Sequence, residues 1–167
     1  TREFGGFLSS LLTLFAMFCT PLFGYLADRI GYRSYLMMAG SALLMPVYLL
    51  MAYTEVSLYL PMSMMGIAFS LIPAVMWPSV AYVVEESRLG TAYGLMTLCQ
   101  NVGLTLFNLW IGWANDFMNA GPANPSGYGL GMWLFSTLGF LGLLFAILLN
   151  RSEAGPEGHG LDRIRTG

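Results

Sequence analysis

Two groups of polar residues stand out in an otherwise apolar sequence, and both could form ion pairs or hydrogen bonds. The segment 24–33 reads Gly-Tyr-Leu-Ala-Asp-Arg-Ile-Gly-Tyr-Arg and places one acid beside two bases. Further along, small and polar residues recur at spacings of three and four, with Gln100 beside them: Gly90, Gly94, Thr97, Asn101, Thr105, Asn108 and Gly112. Neither group contains a nucleophile with a base, a phosphate-binding glycine loop or a His/Cys cluster. The sequence therefore predicts no enzyme activity, no metal and no cofactor.

The composition identifies the solvent of most of these residues as lipid. Of the 167 residues, 56% are apolar and only 10% are charged, against about 25% charged in soluble domains. None of the seven basic residues is a lysine, and the net charge of −2 argues against a nucleic-acid partner. The expected surroundings are a lipid bilayer.

Five apolar stretches have about the 20 residues that a membrane helix needs. They cover residues 5–26, 34–53, 57–84, 89–113 and 128–149. Their length predicts helices, because barrel strands would be shorter and would alternate in polarity. We therefore expect an all-α, multi-pass bundle in residues 1–150, followed by a short disordered tail at 151–167.

The arginines predict how the bundle is oriented. Six of the seven lie on one side of the predicted spans: Arg29, Arg33, Arg88, Arg151, Arg163 and Arg165. The positive-inside rule places this side, including the C-terminus, in the cytoplasm. The loop 115–127 is then on the opposite side.

The polar residues of the fourth span share one helix face. Asn and Gln side chains rarely face lipid, so Gln100, Asn101 and Asn108 are candidates for lining a water-filled path. Bonds between helices would explain Thr97 and Thr105 equally well. In the third span, Pro73 and Pro78 indicate a hinge or an irregular segment, and the adjacent Trp77 is the fourth candidate for the path.

The segment 24–33 predicts a tight turn with an ion-pair network. Glycine at position 31 permits a left-handed turn, and Gly24 would let another helix approach closely. Asp28 ends a helix, where cations are favoured, so it needs a partner elsewhere. We expect that partner at the start of the fourth helix, beside Arg88 and Gly90, while one of the two arginines of the segment meets Glu86. The network would form in one conformational state only.

This segment resembles the signature loop of the major facilitator superfamily. It matches the family pattern at six positions and departs at Tyr32, where a basic residue is common: Gly24, Leu26, Asp28, Arg29, Gly31 and Arg33. The resemblance implies a transporter fold of twelve helices in two halves. The five spans would then be helices 8–12, with the N-terminal half truncated and acting as a partner.

Residues 77–94 resemble one branch of that superfamily more closely. The branch is the major facilitator superfamily domain-containing protein 1 group, dipeptide transporters of lysosomal membranes in animals. The match includes Glu86, Leu89 and the run 90–94, whereas Glu85 replaces a proline of the pattern. It implies transport of dipeptides by alternating access, in a lysosomal membrane or in the plasma membrane.

Several alternatives stay open at this point. The solute could instead be a sugar, a nitrate or a drug, and transport could be proton-coupled or a uniport. No charged residue lies inside the five spans, so a proton site would lie in the missing part. The chain could also be a scaffold that binds an accessory membrane protein through the loop 115–127.

Overall fold

Five long helices make up the structure, a computed structural model that describes residues 2–53, 57–156 and 158–165. They are α1 (Arg2–Ile30), α2 (Arg33–Tyr53), α3 (Tyr59–Val83), α4 (Leu89–Phe117) and α5 (Gly129–Glu153). Short 3-10 turns at Glu86–Arg88 and Pro125–Tyr128 precede α4 and α5. The described residues form no strand, and the all-α prediction is confirmed.

The helix ends lie beyond the apolar stretches in three of the five cases. Helices α2 and α3 agree with the predicted spans within two residues, whereas α1, α4 and α5 each extend about one turn further at their C-terminal ends. Hydropathy marks the part of a helix inside lipid, but the backbone hydrogen bonds continue into the polar ends. Asp28 and Arg29 are therefore helical residues of α1 and do not lie in a loop.

Four segments of the described chain are both long and apolar enough to cross a membrane. They are Gly5–Ile30, Arg33–Tyr53, Tyr59–Val83 and Pro125–Glu153. Helix α4, with 29 residues, is about 44 Å long and could span a bilayer by its length. Its threonines, asparagines and glutamine are spread along the helix, so no 18-residue stretch of α4 is as apolar as those in the other four helices.

The helices pack as a row in which α4 has little cover. Helix α2 lies between α3 and α5, and α1 packs on α3, while α4 makes limited contacts, mainly with α3 and α5. A hydrophobic cluster lies toward the end of the bundle where α1 meets α2: Ala27, Met37, Leu71, Val75 and Ala146. We call this the turn end. The cluster draws residues from four helices and fixes the α1–α2 turn against α3 and α5.

Close helix contact occurs at a glycine other than the one predicted. A Cβ added at Gly66 of α3 would lie 3.0 Å from Phe15 Cβ and 3.3 Å from Leu12 O, so α1 and α3 meet here. A Cβ added at Gly24 would have no atom within 4 Å. The expectation that Gly24 admits a neighbouring helix is thus not met by the described helices, because α1 turns its opposite face toward α3.

The sequence predicts a disordered tail, which would extend away from the bundle. The described part of the tail instead packs on the helices. Residues 158–165 lie against the α1–α2 turn and the end of α5, and Leu161 is 2% exposed. This Gly-rich segment packs because the apolar side chain of Leu161 is buried and because polar groups of the tail hydrogen-bond to α2 and α5. Composition alone did not reveal those contacts.

Candidate functional site

Only Gly31 and Tyr32 separate α1 from α2. Both have positive φ angles, 76° and 51°, and the Gly31 N–H donates to Ala27 O at 2.9 Å. This is a left-handed cap, which glycine adopts without the penalty that a Cβ imposes. The left-handed turn that the sequence predicts at Gly31 is present, and it reverses the chain within two residues.

Across this turn, Asp28 and Arg33 form an ion pair. Arg33 Nη2 donates to Asp28 Oδ1 at 2.7 Å, and the exposed fractions of the two side chains are 1% for Arg33 and 47% for Asp28. The guanidinium carbon also lies 4.6 Å from the ring centroid of Tyr82 in α3. A buried charge needs such partners. Arg33 thereby links the ends of three helices.

The ion pairs expected between this turn and α4 are not formed among the described residues. Arg88 instead lies 3.8 Å from Glu85, with both side chains 79% exposed, a geometry that stabilises little. Glu86 and Arg29 are exposed and take part in none of the described ion pairs. A Cβ added at Gly90 would meet nothing within 4 Å. Contacts of this kind in a second conformational state stay a prediction.

A cavity of about 510 Å³ opens between α2, α3 and α4. It brings together two of the four predicted path residues, Trp77 and Gln100, and adds Cys99 beside them. The remaining lining is apolar: Leu44, Phe69, Ile72, Pro73, Met76 and Met96. The volume is that of a small-molecule site, with few polar groups on an apolar wall.

Tyr93 connects the proline-containing part of α3 to the start of α4. Its ring stacks on Trp77 with centroids 5.7 Å apart and planes 17° apart, and its hydroxyl donates to Trp77 O at 3.1 Å. Tyr93 therefore holds both the ring and the backbone of the cavity residue Trp77.

The polar face of α4 points away from the cavity and is open. Asn101 Nδ2 donates to Thr97 O at 2.8 Å, and Thr105 Oγ1 donates to Asn101 O at 2.9 Å. These bonds stay within the helix. Asn101 and Asn108 are exposed, and Ala114 is the one buried residue of α4 in the described structure.

The sequence family follows from a comparison that covers nearly the whole chain. The family described as the Major Facilitator Superfamily matches residues 1–163. This chain belongs to the major facilitator superfamily. The five helices are thus part of a membrane-transporter fold, and the chain is that of an integral, multi-pass membrane protein.

Curated relatives within the superfamily carry one name, Lysosomal dipeptide transporter MFSD1. The Homo sapiens protein is 30% identical over 151 residues, which are 89% of this chain and 31% of the relative. The Mus musculus protein is also 30% identical over 151 residues, with the same shares. The Danio rerio protein is 32% identical over 105 residues, 63% of this chain and 23% of the relative. This chain thus spans less than a third of these relatives, and no solved structure matches it.

Within the superfamily fold, the predicted site residues fall into three places. Asp28 and Arg33 meet at the turn end, Trp77 and Gln100 meet in the cavity, and the two asparagines lie on the open face of α4. Sequence reasoning missed the residues that support the first two sites, Tyr82 and Tyr93. Both lie on a different helix from the group they contact, so no local spacing could have indicated them.

The described residues contain no group of three or more His, Cys, Asp and Glu side chains that could hold a metal ion. The side chains of the two sites provide an ion pair, an amide, a thiol and three aromatic rings. Such groups bind and orient a solute through hydrogen bonds and stacking.

Proposed function

We propose that this chain is the C-terminal helical part of a transporter that moves dipeptides by alternating access. The observation that carries the proposal is the uncovered polar face of α4. Asparagine and glutamine side chains are costly against lipid, so a membrane helix that exposes them needs cover from further helices or water. A second helical half that rocks against this one would supply the cover and leave a path between the halves.

The cavity beside this face supports a solute of dipeptide size. Its apolar walls suit a side chain, and Trp77 offers a flat ring for stacking. The amide of Gln100 can donate to and accept from a peptide group. The relatives named as dipeptide transporters add support for this solute class.

The Asp28–Arg33 pair supports a gate at the turn end. An ion pair that closes one end of a bundle biases a two-state equilibrium only when it differs between the states. Asp28 is half exposed, so its carboxylate is available to a second partner when the helices move. We assign the turn end to the cytoplasmic side, from the arginines that cluster there, in a lysosomal or plasma membrane.

The segment between α4 and α5 supports a connecting role over a docking role. Gly121 and Asn124 pair their backbones, and Asn124 Nδ2 donates to Met118 O at 3.0 Å. Gly127 is buried against Ala120. A loop that satisfies its own polar groups has fewer of them free for an accessory membrane protein.

Uptake by the full-length protein in proteoliposomes tests the proposal. We expect saturable uptake of a labelled dipeptide, with competition from other dipeptides and little from free amino acids. W77A and Q100A should raise the KM, while W110A serves as the matched control because Trp110 of α4 is exposed and does not line the cavity.

Two results would contradict parts of this proposal. Uptake of a sugar, a nitrate or a drug without dipeptide uptake would refute the solute class and keep the transport mechanism. Absence of uptake for every solute class would refute transport and favour the scaffold alternative.

A further inference from the structure

Asp162 in the tail is bonded to both sides of Arg33. Its backbone carbonyl accepts from the Tyr32 N–H at 3.0 Å, and its Oδ1 accepts from the Ser34 N–H at 2.8 Å. Residues 32 and 34 flank the arginine of the gate pair. The carboxylate also lies at the N-terminus of α2, where free N–H groups and the helix dipole favour an anion.

The second carboxylate oxygen of Asp162 and the neighbouring tail residues bind to α5. Asp162 Oδ2 accepts from Asn150 Nδ2 at 3.1 Å, and the Leu161 N–H donates to Glu153 Oε2 at 3.2 Å. His159 Nδ1 lies 3.5 Å from Glu153 Oε1, and the Glu153 side chain is 7% exposed. The tail is therefore held by α5 on one side and holds the start of α2 on the other.

Leu161 supplies the apolar part of the contact. Its side chain is 2% exposed and borders an apolar cavity of about 460 Å³ between α2, α3 and α5. Met37 of α2, Val80 of α3 and Ala146 of α5 line the same cavity. Burial of this leucine side chain favours the docked tail over an exposed one.

The tail crosses the α1–α2 turn in close contact with Gly31. A Cβ at this position would lie 2.7 Å from Asp162 O, which is shorter than a carbon–oxygen contact allows. The turn thus requires glycine twice, once for its positive φ angle and once for the passage of the tail.

We propose that residues 158–165 form a latch and that Asp162 is a positioning residue for Arg33. The docked latch fixes the backbone on both sides of Arg33 and so holds its guanidinium between Asp28 and Tyr82. Its release frees the α1–α2 turn to move. The gating part of the inference rests on the proposed function, whereas the docking part does not.

Hydrogen exchange tests the docking directly in the full-length protein in detergent. In D162A, the Ser34 amide should exchange at least about tenfold faster, because it loses a bond to a charged acceptor. In D162N the backbone carbonyl and one side-chain oxygen remain, so Tyr32 should keep its protection and Ser34 should lose part of it. L161A should accelerate both amides, since it weakens the latch as a whole.

The matched control is D116N, a change at an exposed aspartate at the far end of α4. It should leave both amides unchanged. Unaltered exchange of Ser34 in D162N, together with unaltered exchange of both amides in L161A, would overturn the latch. These milder variants decide the question if D162A does not fold.

Uptake in a double-mutant series tests whether Asp162 acts through Arg33. We expect D162N to change the uptake rate by about threefold in the native background and to have no further effect in a D28N background. Additive effects would overturn the positioning role. Absence of uptake by the native protein would refute the proposed function instead. The hydrogen-exchange measurements would still test whether the latch is docked.

Discussion

Arg33 is the residue at which the ends of α1, α2 and α3 meet. Its guanidinium contacts Asp28 of α1 and the ring of Tyr82 in α3, and its Nε is buried without a hydrogen-bond partner among the described residues. The arginine is buried while its acidic partner is half exposed. The two members of the pair are therefore not equivalent. When the pair breaks, Asp28 is still solvated by water, whereas Arg33 stays buried without its counter-ion.

The first prediction concerns the charge of Asp28. D28N leaves a buried guanidinium without its counter-ion, and we expect a loss of about 1–3 kcal/mol in the free energy of unfolding, less than for a fully buried pair. Thermal unfolding of the full-length protein in detergent measures it. E85Q is the control, because the Glu85–Arg88 pair is exposed and should contribute less than about 0.5 kcal/mol.

The same variant tests the gate. D28N should insert into the membrane at native levels and slow dipeptide uptake. Uptake kinetics equal to those of the native protein would remove the gating role, and a stability loss no larger than that of E85Q would contradict the structural one.

The second prediction uses a natural cysteine in the cavity. Cys99 lines the cavity beside Trp77 and Gln100 and is exposed, whereas Cys19 is half-buried in α1. A maleimide should label Cys99 in a full-length protein that keeps no other cysteine, and a saturating dipeptide should slow the labelling. A variant that keeps Cys19 alone is the control. Equal labelling of Cys99 with and without dipeptide would place the solute outside this cavity.

At the scale of the elements, the α1–α2 turn satisfies several structural constraints although it has only two residues. It combines two positive φ angles, an ion pair across the reversal and a tail segment that crosses it. Positive φ at Tyr32, a non-glycine residue, costs about 1–2 kcal/mol. The Tyr32 N–H bond to Asp162 helps to offset this strain.

The third prediction compares Gly31 of the α1–α2 turn with Gly90 at the start of α4. G31A should destabilise the protein by about 2 kcal/mol or more, because alanine is strained at this φ and its Cβ collides with the Asp162 carbonyl. G90A should be neutral or stabilising by up to about 1 kcal/mol, since Gly90 is helical with open space around it. Thermal unfolding of both variants measures the difference, and equal effects would contradict the tail crossing.

The sequence was sufficient for features that are local. Hydropathy identified the five helices, the signature motif located the left-handed turn at Gly31, and helical spacing identified the polar face of α4. The contacts between helices were not predictable in the same way. Tyr82 and Tyr93 are aromatic residues in apolar stretches, and Asp162 lies in a polar tail. Their roles depend on which helix ends come together.

At the scale of the whole molecule, the cover of the helices is uneven. Helices α2 and α3 bury residues along much of their length, while α4 buries only Ala114 in the described structure. Tight contacts such as Gly139 against Met45 hold α2 to α5. The row α1–α3–α2–α5 is thus a packed unit, and α4 is the helix with the least cover from the described helices. In line with the proposed function, we assign the missing cover of α4 to a second half of the transporter.

The fourth prediction follows from that assignment. The 167-residue chain reconstituted alone should show no dipeptide uptake, and co-expression with the other half of the complete transporter as a separate polypeptide should restore it. N101L is the informative variant, because it replaces a polar side chain of the open face with leucine. We expect N101L to lower uptake more than it weakens the co-purification of the two halves. Uptake by the isolated chain would contradict the assignment of the open face to a second half.

The low hydropathy of α4 also bears on how the protein enters the membrane during synthesis. A helix with four side-chain amides partitions poorly from the translocon when it emerges alone. The segment 118–128 closes on itself through its own hydrogen bonds and joins α4 to the strongly apolar α5. We expect α4 to enter the membrane only after α5 has been synthesised, so that the two helices insert together as a hairpin. Insertion would then be delayed at the helix whose polar face we propose to line the transport path.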